Sequence, residues 1–198
     1  MEIKMKKPNN YEATPASGDY VPVALGGHLL IIKEVAEMQS RTGKDMIKVF
    51  FDFASGDAQP AYFSNVFRDD VRPDKKWPAA GTTYLLTEDV DGNCSRQFKT
   101  FITSVEKSNP GFRVDWGEGF TRGFQNKLTG GVFGIVEEEY NDKVHKNRKL
   151  RWFRSTEGVL EAPVPEEKLL ANGSRSRLPE DKDGFISVPE GCQEELPF

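Results

Sequence analysis

Long apolar runs are missing from this 198-residue chain. Its longest mostly apolar stretches, residues 29–32 and 48–53, fall far short of the roughly 20 residues that a spanning helix needs. The charged start Met1-Glu-Ile-Lys-Met-Lys-Lys is not followed by the apolar segment of a secretory signal. A soluble, cytoplasmic chain of one domain with appendages is expected. Cysteine is scarce as well. Cys94 and Cys192 lie far apart with no C-x-x-C spacing, so neither a disulfide framework nor a zinc site is legible. With only His28 and His145, a metal centre would need carboxylates to complete it. Gly117-x-Gly119-x-x-x-Gly123 misses the dinucleotide spacing by one residue, and no Walker A run exists. In Asp89-Val-Asp91-Gly-Asn93 the glycine comes too early for a calcium loop. Of the three glutamates 137–139, only Glu137 and Glu139 share a strand face, which reads as a solvated edge. No catalytic centre, cofactor or metal is expected.

What is present is mainly β texture with one helix. Residues 1–25 are dense in turn formers and form an N-terminal arm. Residues 28–38 and 46–54 read as two strands joined by a polar turn around Gly43. In the second, Ile47, Val49, Phe51 and Phe53 make a core face, while Met46, Lys48, Phe50 and Asp52 make a mixed face. That mixed face suits either base stacking or packing under a loop. A third strand is expected at 61–67, an exposed loop at 68–78, and a strand or helix at 82–87. Residues 93–108 are the clearest helix, capped at Asn93 or Ser95, with Phe98, Phe101, Ile102 and Val105 at helical spacing. A short strand at 112–116, a glycine-rich loop at 117–126, a strand at 128–140 kinked at its glycines and a last strand at 144–154 follow. From 158 onward prolines are frequent and aromatics few, so residues 158–198 are expected to be a flexible tail with at most a helical turn at 166–170. The expected order places a helix between the third and fourth strands of an OB-like five-stranded barrel over residues 26–157.

Charge is unevenly placed. Residues 1–160 carry 23 basic and 22 acidic side chains, whereas residues 161–198 carry 4 and 9. Within the body, residues 143–154 hold six cations and no carboxylate, together with Trp152 and Phe153. Such a stripe can neutralise phosphates and stack bases; the alternative is an edge strand that uses Lys and Arg to block aggregation. Each of the three tryptophans lies within three residues of a cation. The candidate nucleic-acid contacts are therefore Lys48, Phe50, Lys76, Trp77, Arg113, Trp116, Lys146, Arg148, Lys149, Arg151 and Trp152. With no helix-turn-helix, basic recognition helix or zinc finger, single strands are a better fit than duplex. The rivals are a metal-dependent nuclease built on Asp69, Asp70, Asp115 and Glu118, and a phage interaction module that uses a sheet edge. Self-association is left open.

The last residues, Gln193-Glu194-Glu195-Leu196-Pro197-Phe198, are the most specific signal. They resemble the C-terminal tip of bacterial single-stranded DNA-binding proteins, with Glu-Glu where that family usually has Asp. The stretch 130–140 and Arg151-Trp-Phe-Arg-Ser are similar to proteins of Gram-positive phages and integrated elements. The resemblance implies an OB fold, single-stranded DNA binding in replication or recombination, and recruitment of replication proteins through Glu194, Glu195, Leu196, Pro197 and Phe198.

Overall fold

Alternating apolar residues in the first half fold as an antiparallel hairpin of β1 (Gly26–Gln39) and β2 (Asp45–Phe53). Val35 lies opposite Val49 and Met38 opposite Met46, with an irregularity between Ile32 and Glu34. Gly43, at φ +79°, makes the tight turn that sets this register. The computed structural model describes residues 6–12, 21–141 and 143–170. After β2 come helix α1 (Tyr62–Asp69), a 3₁₀ turn at Ala79–Gly81, β3 (Thr82–Leu86), helix α2 (Arg96–Ser108), a 3₁₀ turn at Arg122–Phe124, β4 (Leu128–Tyr140) and β5 (Lys143–Arg154). All five strands form one antiparallel sheet in the order β3-β2-β1-β4-β5.

This order keeps the expected helix between the third and fourth strands. The sheet is not closed into a barrel, however: among the described residues no ladder joins β3 to β5. Helix α2 packs on both of those edge strands and on β4. Its stripe of Phe98, Phe101, Ile102 and Val105 meets the inner sheet face, where Phe101 lies 4.9 Å from Phe153. Ser95 caps the helix by accepting the Phe98 N–H at 3.2 Å. The core is rich in phenylalanine, with Phe51, Phe53, Phe63, Phe124, Phe133 and Phe153 all fully buried. Interlocking edge-to-face pairs, such as Phe51 with Phe133 at 6.1 Å, add directional contacts to the apolar burial.

Several expectations are corrected. The strand expected at 61–67 is α1, so the described residues hold two α-helices rather than one. The cap of α1 comes from a distance: buried Asp52, on β2, accepts the N–H groups of Phe63 (2.8 Å) and Ser64 (3.1 Å). Residues 112–116 form no strand, because Val114 is buried there without a partner strand beside it. The ambiguous stretch near 82–87 is strand β3. The helical turn at 166–170 is extended chain instead, bridged to β4 through Val136 and Lys168.

Over 158–170 the chain is not loose: it lies as a strap against the outer face of β1 and β4. Val159 is fully buried, and a Cβ placed on Gly27 would lie 1.5 Å from the Val159 carbonyl oxygen. On β4, a Cβ at Gly130 would lie 2.9 Å from Val159 Cγ2, and one at Gly134 would lie 2.5 Å from Pro165. The glycines expected to kink this strand therefore leave a bare track in which the strap sits. Beyond that track the strap pairs with the β4 edge, where Lys168 N–H donates to Ile135 O and Glu137 N–H to Lys168 O.

The end of the N-terminal arm is also fixed. Successive carbonyls accept from four side chains: Val21 from Tyr62 Oη, Pro22 from Gln59 Nε2, Val23 from Arg148 Nη1 and Ala24 from His28 Nε2.

Candidate nucleic-acid interface

Strand alternation divides the outer sheet face into two patches. Over β2 and β3 the outward residues are Met46, Lys48 and Phe50, paired with Leu86, Tyr84 and Thr82. Glu34, Ala36 and Met38 of β1 complete the patch. Met46, Phe50 and Leu86 are buried but stand outside the main core cluster, whereas Lys48 and Tyr84 are half-buried. The Lys48 ammonium lies 4.8 Å from the Phe50 ring centroid and 5.3 Å from that of Tyr84. Both rings thus hold the cation by their faces. Of the mixed β2 face, Asp52 serves as the α1 cap, while Lys48 and Phe50 stay in this patch. Phe50, 7% exposed, lies beneath Lys48, so Tyr84 is the ring with more surface to offer. Sequence reasoning missed Tyr84 because it sits in a five-residue strand too short to show a period.

Four of the six cations of β5 are engaged by the protein itself. Lys146 pairs with Glu167 at 2.6 Å and Glu137 at 3.8 Å, and its pKa is raised chiefly by the Glu167 hydrogen bond. Lys149 pairs with Glu138 at 2.7 Å, and Asn147 donates to the same carboxylate. Arg148 donates to Val23 O, and Arg151 to Glu166 O at 3.0 Å. Trp152 stands on this strand, 38% exposed. Two of these five partners, Glu166 through its carbonyl and Glu167 through its carboxylate, belong to the strap, so the acidic segment read as tail partly engages the basic stripe.

The tryptophans do not form a single cluster: among the described residues no ring contact joins any two of them. Trp77 is half-buried, 5.8 Å from Phe67, with its Nε1–H donating to Gly81 O at 3.1 Å. Trp116 is 67% exposed on the loop after α2. Arg113 is exposed nearby and donates to Phe112 O. Lys76 lines an open groove of about 570 Å³ beside α1, together with Val21, Tyr62, Val66 and Arg72. On that rim Arg72 grips Asp70 at 2.7 Å and pulls its pKa down to about 2. The tip residues Glu194 to Phe198 lie outside the described residues.

Among the described residues no group of three or more His, Cys, Asp or Glu is arranged to hold a metal ion, and no helix is long and apolar enough to cross a membrane. No protein-family model matches the chain, and no curated protein matches it.

Proposed function

We propose that the protein is a non-catalytic, sequence-independent single-stranded DNA-binding protein with an OB-like fold, serving replication or recombination of a phage or mobile element. The observation that carries this reading is the β2–β3 patch, where Lys48 stands over Phe50 and Tyr84. In OB folds the face of the second and third strands is the one that binds oligonucleotides. A phosphate meeting Lys48 releases counterions, and a base stacking on Tyr84 needs no particular identity because every base has a π-face. The basic stripe of β5, with Lys146, Arg148, Lys149, Arg151 and Trp152, adds a weaker field, since its charges already have partners. Lys76, Trp77, Arg113 and Trp116 stand on loops outside that patch and are further candidate contacts.

Oligo-dT titration over a series of salt concentrations tests the reading. Affinity should fall linearly in log–log form with salt, with quenching of tryptophan emission. Unchanged emission and no retention of oligonucleotide at low salt would refute it. Partner recruitment through Glu194 to Phe198 is a separate part of the proposal. Deleting those five residues should leave DNA affinity equal or higher and abolish capture of replication proteins; undiminished capture would remove the recruiting role.

A further inference from the structure

Trp116 lies on the loop between α2 and β4, away from the β2–β3 patch, and it is 67% exposed. Its ring is nevertheless held. It lies on Phe120, centroids 5.5 Å apart and 24° from parallel, and against Phe98 at 6.2 Å. Both supporting rings are buried, at 7% and 6% exposure. The loop beneath is pinned as well: Val114 is buried and its N–H donates to Glu106 Oε1 at 3.1 Å, while Phe120 N–H closes a turn on Gly117 O at 3.0 Å. Gly117, at φ +149°, takes a conformation that side chains disfavour. The indole therefore presents an open surface with little ordering left to lose when another flat ring settles on it.

The position of this platform follows from the end of β3. Ser95 Oγ donates to Leu86 O at 2.6 Å and accepts the Phe98 N–H, which ties Phe98 to the strand end two residues past Tyr84. Trp116 rests on that same Phe98. The charge around it is mixed: Arg96, Lys99 and Arg113 are exposed, and so are Asp115 and Glu118. Ring contact rather than attraction for phosphate is what this place offers.

We propose that Trp116 is a second nucleobase platform, engaged only by a strand long enough to run past the C-terminal end of β3, so that the binding site has two parts. The proposal rests on the single-strand reading above and extends it to a surface outside the sheet.

The test uses the full chain, W116F and W116A with oligo-dT of about 5 and about 15 nucleotides, near the lower and upper ends of the site sizes usual for one OB unit. The emission difference between the full chain and W116F reports on Trp116. It should be quenched by the longer oligonucleotide and not by the shorter. W116A should lose about tenfold in affinity for the longer strand, as expected for one lost stacking contact, and keep the parental salt slope. If the longer strand binds with Trp116 emission unchanged and W116A binds it as tightly as the parent, the second platform is wrong while the single-strand reading stands. If the parent binds neither length, that reading fails and takes the platform with it.

Discussion

The outer face of the sheet is two different surfaces made from one ladder. Over β1 and β4 its residues include Gly27, Gly130 and Gly134, and the chain's own strap fills the space they leave. Over β2 and β3 they are Lys48, Phe50 and Tyr84, and two rings hold a cation. Glycine gives up side-chain contacts so that backbone can lie on backbone, whereas Lys and Tyr keep polar and aromatic groups where a ligand can meet them. Under the proposed function one half holds the fold and the other binds, and each part of that reading can be broken separately.

The largest effect is expected at Gly27. In G27A the new methyl falls 1.5 Å from the Val159 carbonyl oxygen, so the strap or the strand must move. Overpacking of this kind costs about 3 kcal/mol or more, which is roughly 6–12 °C in Tm for a domain of this size. Thermal unfolding by circular dichroism measures it. A Tm within about 2 °C of the parent would show that the strap is not seated on the track.

Next comes Asp57, which fixes the start of β1. Its carboxylate accepts from Leu29 N–H at 2.8 Å, Gln59 N–H at 2.9 Å and His28 Nδ1 at 3.0 Å. Burial pushes its pKa up, but the His28 hydrogen bond and the two backbone N–H groups outweigh this and hold it below the usual 3.8. A carboxylate whose pKa is lowered by folding stabilises the fold fully above its unfolded value, and that contribution disappears as pH falls through the folded value. D57N should therefore cost about 2 kcal/mol at neutral pH, with the gap to the parent closing below about pH 3.8. Stability curves that stay parallel down to pH 3 would remove Asp57 from this role.

The covered half was the less legible in the sequence, for a physical reason. The hairpin, α2, β4 and β5 each carry their own period and were readable locally. The strap, apart from Val159, has no apolar period, because it is held by glycines more than 100 residues earlier or about 30 earlier in the chain. Helix α1 was hidden similarly. Its N-cap position, Ala61 at φ 54°, offers no capping side chain, and Asp52 supplies the cap from β2. In the open half, alternation along β2 brought out Lys48 and Phe50, but the neighbour that completes their patch, Tyr84, depends on a strand pairing that local spacing does not specify. The basic stripe of β5 was legible as composition, yet its partners Glu166 and Glu167 appeared only as part of an acidic tail.

For the open half, Y84A and K48A should leave Tm within about 2 °C of the parent, because both side chains are half-exposed. Each should weaken oligo-dT binding about tenfold, in distinguishable ways. Loss of a stacked base leaves the salt slope alone, whereas loss of a phosphate contact lowers it by about one. Equal affinity for parent and both variants would move the binding site off the β2–β3 patch.

The smallest effect is expected at Lys146, and it sharpens the comparison most. Lys48 and Lys146 are both cations on strands of the one sheet, so composition alone would weight them equally. Their surroundings differ: Lys48 faces two rings, while Lys146 faces the carboxylates of Glu167 and Glu137. A phosphate approaching Lys146 must displace or share a carboxylate. K146A should therefore change oligo-dT affinity by less than about twofold at 0.15 M salt and leave the salt slope nearly unchanged. E167Q removes the competitor, so it should raise affinity slightly and make Lys146 count in an added K146A. A tenfold loss in K146A alone would show that the strap's acids yield to DNA and that the basic stripe, not the β2–β3 patch, is the main binding surface.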